Sequence, residues 1–344
     1  MAKVYFRDSN KALVAIECDP AGSLLEGLLA AGVKIPNSCR KGLCQACVCQ
    51  VDDNSSVLPS ALNAEALEGL SPLQRRNQYF LSCQAEPVDN LTLSLPSHEN
   101  DWLCELKQKR HLSPSVVELT FQAEGRWKAG QHLLLWKDDS QARPYSASNK
   151  YREDRLIRFI IERHSKGSVS RWCYDELSVG ESVRLSAPQG HFVSGSDFGS
   201  GLVMFAEGSG IGPAIGLLQS AQADQPEVAN DLFFVHSKQS ISGDSGAQNS
   251  VNSDPSFPES LWQSAVVDAS ANFHQPAPRT LVGDDGYALI HQQLKSKCPS
   301  LRGKKVFIVG SEAFVSSMSR ACFFGGAARN DIVTETFLSQ LSSA

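Results

Sequence analysis

Three cysteines crowded into nine residues, Cys39-Arg-Lys-Gly-Leu-Cys44-Gln-Ala-Cys47, and a fourth, Cys83, in Phe-Leu-Ser-Cys-Gln place the strongest constraint on this chain. The C-x4-C-x2-C…C spacing lets one loop curl around a 2Fe-2S cluster and offer three thiolates, while a distant strand supplies the fourth. Gly42 relieves the crowding where backbone must approach inorganic sulfide. A structural zinc site is the competing reading, but zinc usually pairs two short Cys-x2-4-Cys hooks, whereas here one loop holds three thiolates. Cys39, Cys44, Cys47 and Cys83 are therefore the expected metal ligands, and single-electron transfer is the expected chemistry.

At 344 residues the chain has room for two or three domains of about 150 residues each, and 42% hydrophobic residues suffice for a core in each. The net charge of -5 is spread over interspersed acids and bases, which gives no field for nucleic acid. Met1 to Pro20 alternates charged and apolar residues, and no apolar run approaches membrane length, so a cytoplasmic, non-spanning protein is expected; a monomer is the expected state. The six other cysteines, at 18, 49, 104, 173, 298 and 322, have no framework spacing and read as small buried hydrophobes in a reducing compartment.

Lys3 to Arg7 and Ala12 to Cys18 read as a hairpin around the polar turn Asp8 to Lys11. A helix follows, with Ser23 as its cap, Leu24, Leu25, Leu28 and Leu29 as its stripe, and Gly32 just past its end. After the cysteine loop come strands at 47–51, 79–84 and 91–95 and a short helix at 63–70. The first segment is thus a small mixed sheet gripping one helix, and the proline-led Pro96 to Asn100 marks its boundary. Strands at 116–122, 131–136, 156–162 and 182–185, with one helix near 168–177, predict an antiparallel barrel. From Gly201 the grammar becomes strand, glycine loop, helix: strands at 202–206, 232–235 and 305–309, and helices at 214–221 and 313–325. The stretch 237–258 is too poor in apolar residues to pack and reads as a surface loop.

Arg143-Pro144-Tyr145-Ser146, followed by Lys166-Gly167-Ser168-Val169-Ser170, resembles the flavin site of the ferredoxin-NADP reductase family over about 103–344. The resemblance implies an arginine on the flavin pyrophosphate (Arg143), a tyrosine stacked on the ring (Tyr145) and a hydroxyl at flavin N5 (Ser146), with Tyr145 and Ser146 as catalytic residues. These roles suit a forked phosphate donor, an aromatic cover and a proton-following hydroxyl. Gly167 to Ser170 would set helix amides against the same pyrophosphate, and Ile161 and Glu162 would line the ring and ribityl chain. By itself Arg-Pro-Tyr-Ser reads equally as a surface turn.

Gly208-Ser209-Gly210-Ile211-Gly212-Pro213 resembles the family's pyridine-nucleotide loop, with tight strand-to-helix packing as the alternative. Gly310 lies in Val309-Gly310-Ser311, where relatives usually have Cys-Gly-Pro beside the nicotinamide. Glu335-Thr336-Phe337 resembles the family's terminal strand. Ser237 and Lys238 stand where the adenosine ribose would be met, leaving NADH and NADPH both open.

The whole chain resembles the fused reductases that feed bacterial oxygenases, such as those of methane monooxygenase, phenol hydroxylase and benzoate dioxygenase. That resemblance implies a β-grasp 2Fe-2S ferredoxin domain at 1–98, an antiparallel β-barrel FAD domain at 102–197 and a Rossmann-like parallel-sheet NAD(P) domain at 198–344. It implies three cofactors, the 2Fe-2S cluster, FAD and NADH or NADPH, and a protein electron acceptor, an oxygenase or hydroxylase component. A reductase for another acceptor, or a redox-sensing carrier with a degenerate nucleotide site, stays open at this point.

Overall fold

The computed structural model describes residues 1–7, 12–42, 44–52, 55, 61–70, 72–95, 101–139, 141–190, 198–235, 271–274 and 284–337. The turn Asp8 to Lys11, the boundary peptide Pro96 to Asn100, the stretch 237–258, and with it Ser237 and Lys238, lie outside the described residues. Contacts group the chain into two units: 1–101 with 134–144 and 184–187, and 102–133 with 145–183 and 188–344.

In the first unit, β1 (Ala2–Arg7) and β2 (Leu13–Cys18) form the expected hairpin, with Ala2 opposite Cys18 and Arg7 opposite Leu13. Helix α1 (Leu24–Ala30) satisfies both of its own ends. Ser23 Oγ accepts from Glu26 N at 3.3 Å while Glu26 Oε2 accepts from Ser23 N at 3.1 Å, closing a capping box. At the other end Gly32, at φ 77°, lets Gly32 N donate to Leu29 O and Val33 N to Leu28 O, which ends the helix in a left-handed turn. Strands β3 (Val48–Val51), β4 (Tyr79–Leu81) and β5 (Thr92–Ser94) complete a sheet ordered β2-β1-β5-β3-β4, with β5 parallel to β1, and Leu24, Leu25 and Leu28 buried in its core. This is a β-grasp. The short helix α2 (Pro72–Arg76) has no buried residue, so no apolar period marked it in advance.

The barrel comprises β6 (Trp102–Ser113), β7 (Val116–Gln122), β8 (His132–Trp136), β9 (Ala142–Ser146), β10 (Leu156–Glu162) and β11 (Ser182–Leu185), ordered β10-β7-β6-β11-β8-β9. Between β10 and β11, α3 (Ser168–Arg171) runs on as a wider turn over Trp172–Glu176. Two strands of the barrel escaped the sequence reading, as did β14 of the C-terminal sheet (Ala271–His274). The polar run from Lys107 to His111 hid β6, whose register against β7 shifts after Leu106 and after His111, as a long coiled strand requires. The motif Arg-Pro-Tyr-Ser, whose alternative reading was a surface turn, lies on strand β9.

The C-terminal sheet contains β12 (Leu202–Glu207), β13 (Asn230–Val235), β14 (Ala271–His274), β15 (Lys305–Gly310) and β16 (Ile332–Thr336), all parallel in the order β14-β13-β12-β15-β16. Alternate residues of β12 feed opposite faces: Leu202, Met204 and Ala206 pack with α4 (Ile211–Asp224), and Val203 and Phe205 with α5 (Asp284–Lys297) and α6 (Glu312–Phe324). The order reverses between β12 and β15, so their carboxyl ends flank the crevice where doubly wound sheets bind nucleotides. Among the described residues no helix is long and apolar enough to cross a membrane.

Helix α4 closes tightly on the barrel through one glycine face. A Cβ on Gly216 would lie 3.0 Å from Asn149 N and 3.1 Å from Ala147 O, and one on Gly212 would lie 3.4 Å from Ile160 Cβ. Gly216→Ala is therefore expected to destabilise the protein by about 1–3 kcal/mol, because the neighbours are backbone and yield little. Denaturant titration of the two proteins measures it.

Candidate functional site

The cysteine loop is bent by three residues in the left-handed region, Arg40 (φ 53°), Gly42 (φ 77°) and Gln45 (φ 55°), two of which are not glycine. Such bends turn successive amides inward. Lys41 N and Cys44 N donate to Cys39 Sγ at 3.3 and 3.4 Å, and Cys39 N donates to Cys44 Sγ at 3.5 Å. The strain is held by Gln45, whose Nε2 donates to Gly69 O (2.9 Å) and whose Oε1 accepts from Gln74 Nε2 of α2 (3.0 Å).

Cys83 is not on the strand expected at 79–84: β4 ends at Leu81, and Cys83 lies two residues further on, in the turn that follows. That turn is captured by the amino end of α1. Leu24 N donates to Ala85 O and Leu25 N to Ser82 O, so the helix's unpaired first-turn amides find their partners in the ligand turn. Ser82, which the sequence reading passed over, ties the two cysteine segments together, donating from both its N–H and its hydroxyl to Cys47 O at 3.2 and 2.8 Å. Gln84 Nε2 donates to Cys83 Sγ at 3.5 Å and to Arg40 O at 2.9 Å.

The thiols meet as two pairs. Cys44 is hydrogen-bonded to Cys39, which with burial pushes its thiol well up; Cys47 is pushed up by its bond to Cys83 and by burial, and that same bond brings Cys83 down to about 7. Among the described residues, no three His, Cys, Asp or Glu side chains converge on one metal ion. Three thiols from one loop and a fourth from the turn after β4 are the donor set that a two-iron cluster takes. The remaining cysteines, 18, 49, 104, 173, 298 and 322, are all buried, as small hydrophobes would be.

On β9, Arg143 Nη1 donates to Ala142 O at 2.7 Å and to Asn37 O at 3.0 Å. Pro144 and Tyr145 are half-buried. Ser146 Oγ donates to Glu335 Oε1 at 2.8 Å. Glu335 comes from β16, and its carboxyl is pushed up to about 7 by burial, against the pull of the Ser146 bond. His132 Nδ1 lies 3.9 Å from the same oxygen, while Glu335 Oε2 is buried and accepts no hydrogen bond. An oriented hydroxyl backed by a proton-holding carboxyl suits a flavin nitrogen that changes protonation. Gly167 is the residue before α3, whose first turn no side chain caps. Ser168 is exposed and Val169 buried, and Ser170 Oγ accepts from His164 N, bracing the loop. Of the two residues expected along the ring and ribityl chain, Ile161 is fully buried and Glu162 is buried.

In the glycine loop close packing requires one of the three glycines. A Cβ on Gly210 would meet Val309 O at 2.9 Å, so this glycine serves close packing, whereas one on Gly212 would make only ordinary contact with Ile160. Gly208, at φ 56°, makes the turn, Ser209 is the half-exposed residue, and Pro213 sits in the first turn of α4, which no side chain caps. Across the crevice the missing Cys-Gly-Pro has a physical counterpart. Buried Glu207 accepts from Ser311 N at 2.8 Å and from Tyr287 Oη at 2.7 Å, and Gly310 leaves room for it, since a Cβ there would meet Glu207 Cβ at 2.7 Å. A proline at 311 could not donate that bond. The signal in the sequence was an acid ending an otherwise apolar strand, Leu-Val-Met-Phe-Ala-Glu.

The family described as a 2Fe-2S iron-sulfur cluster binding domain matches residues 8–88, and that described as an oxidoreductase FAD-binding domain matches residues 103–193. An aromatic O-demethylase reductase subunit from Amycolatopsis sp. (strain ATCC 39116 / 75iv2) is 28% identical over 242 residues, 64% of this chain and 69% of that protein. Terephthalate 1,2-dioxygenase reductase component 2 from Comamonas sp is 23% identical, with 97% of each chain covered. In fold, the chain superposes on the crystal structure of an Amycolatopsis cytochrome P450 reductase with TM-score 0.61 at 20% identity, covering 98% of this chain and 99% of that one. With an iron-sulfur domain, a flavin domain and a parallel nucleotide-type sheet in that order, this chain is a fused reductase of the ferredoxin-NADP reductase type, an NAD(P)H-dependent oxidoreductase that uses a 2Fe-2S cluster and FAD.

Proposed function

We propose that this reductase works as a cytoplasmic monomer of three domains, 1–98, 102–197 and 198–344, and passes electrons from NAD(P)H to an oxygenase component. Relatives named as reductase components of oxygenase systems support the choice of acceptor. Cys39, Cys44, Cys47 and Cys83 would hold the cluster; the observation that carries this reading is the cysteine loop folded back on its own sulfurs and tied through Ser82 to the turn that bears Cys83. FAD, once bound, accepts hydride from the nicotinamide and releases its electrons singly. This chain's residues supply the rest. Arg143 and the first turn of α3 would meet the pyrophosphate, Tyr145 would cover the ring and exclude water, and Ser146, backed by Glu335, would hold a proton toward flavin N5. The loop Gly208 to Gly210, the first turn of α4 and Gly310 border the nucleotide crevice.

The absorption spectrum of the purified protein tests this reading, with flavin bands and iron-sulfide shoulders expected together at one FAD and two irons per chain. One zinc per chain, or flavin without iron, would overturn the ligand assignment.

A further inference from the structure

An acid ends β12 where the nucleotide crevice begins. Glu207 is 5% exposed, yet it reaches from the carboxyl end of β12 to that of its parallel neighbour β15: one oxygen accepts from Ser311 N, the first residue past β15. The other accepts from Tyr287 Oη of α5. Tyr287 is itself braced, with its ring 5.2 Å from that of Phe314 and its hydroxyl 3.3 Å from Ser311 Oγ, which caps α6 by accepting from Phe314 N. Among the described residues no lysine, arginine or histidine pairs with Glu207. All of these residues lie in the second unit. Two hydrogen bonds and the amino end of α6 thus hold a dry carboxylate whose charge no full cation offsets.

We propose that Glu207 is the charge that sets the crevice's preference between the two redox forms of the nicotinamide, favouring the cationic oxidised ring over the neutral reduced one. This rests on the reading of the β12–β15 crevice as the nucleotide site. As hydride leaves the dihydronicotinamide, both electrons of its C–H bond pass to the flavin and the ring is left positive. A fixed negative charge in a water-poor site stabilises that developing charge without having to reorganise. Gly208 and Gly310, which border the crevice, flank this carboxyl in chain and in space, since a Cβ on Gly310 would lie 3.0 Å from Glu207 Oε2.

The test compares wild type with Glu207→Gln and Tyr287→Phe as oxidised, cofactor-loaded protein. The probes are NAD+ and its unreactive 1,4,5,6-tetrahydro form, whose ring is neutral, or the 2'-phosphorylated pair if that is the pair bound. Glu207→Gln can keep the network: its amide oxygen accepts from Ser311 N, its amide nitrogen donates to Tyr287 Oη, and that hydroxyl turns to Ser311 Oγ. It is expected to weaken the oxidised nucleotide by on the order of tenfold, below the several-hundredfold that a unit charge ~4 Å away would give at an effective dielectric of ~20. Binding of the neutral form and the denaturation midpoint should barely move. Tyr287→Phe, which keeps the charge and loses a hydrogen bond, should lower the midpoint and leave the ratio of affinities as it was. An equal change for both nucleotides in Glu207→Gln, or none, would overturn the proposal, whereas wild type that binds neither would overturn the crevice reading. If Glu207→Gln does not fold, wild type decides: tighter binding of the oxidised than of the neutral nucleotide supports the proposal, and the reverse order rejects it.

Discussion

Cys44→Ser is expected to abolish reduction of protein acceptors, by at least about a hundredfold, because losing a ligand must exceed the 10–100-fold typical of losing a residue behind one. NAD(P)H oxidation by ferricyanide, which takes electrons at the flavin, should persist. The asymmetry follows from the placement of the residues. Cys44 sits in a loop held by Gln45, Gly69 and Gln74, and its pairing is with Cys39 in that same loop. Ser146 and its carboxyl partner lie on β9 and β16 and involve no cysteine. Spectroscopy and the two assays on one preparation decide the outcome. Loss of ferricyanide activity with FAD still bound and the fold intact would sink the sequential scheme.

Ser146→Ala should lower the rate of flavin reduction by NAD(P)H by about 100-fold, the low end of what a positioned proton carrier contributes. Its partner adds a pH signature. The Glu335 carboxyl rises from an ordinary 4.5 to about 7 because burial disfavours its charge. Between those values the folded protein keeps a proton that the unfolded chain releases, so stability falls as pH rises from about 4.5 to 7 and is flat above. Glu335→Gln, which cannot ionise, should remove that decline, and the break near pH 7 in flavin reduction should vanish with it. Denaturant midpoints and stopped-flow flavin absorbance of the FAD-loaded protein, both taken from pH 5 to 8, provide the check. A persisting break in Glu335→Gln would assign it to another group, His132 being the nearest titratable neighbour.

Much of the fold was legible because it is written locally. The capping box Ser23 to Glu26, the glycine stop at Gly32 and the apolar run from Leu202 lie within single elements, and each formed where its period placed it. Strand β6 was missed because tertiary pairing on both sides overrode a polar run, and β9 because its proline masked an extended segment. The glycine loop shows what a motif leaves unsaid: a Cβ on Gly210 would meet Val309 O at 2.9 Å, a packing constraint that only the neighbouring strand imposes.

What the sequence by itself determined was the inventory: four thiols at iron-sulfur spacing, a flavin-type strand motif, a nucleotide-type loop, and the order in which they come. Which groups meet was decided only by the tertiary structure. It joins Cys47 to Cys83 through Ser82, Ser146 to Glu335 across 189 residues, and Glu207 to Tyr287 and Ser311 across the crevice. Spacing within a loop is a property of the chain. The pairing of buried polar groups far apart in sequence is a property of packing, because each must find its hydrogen-bond partner among whatever the closed core brings beside it.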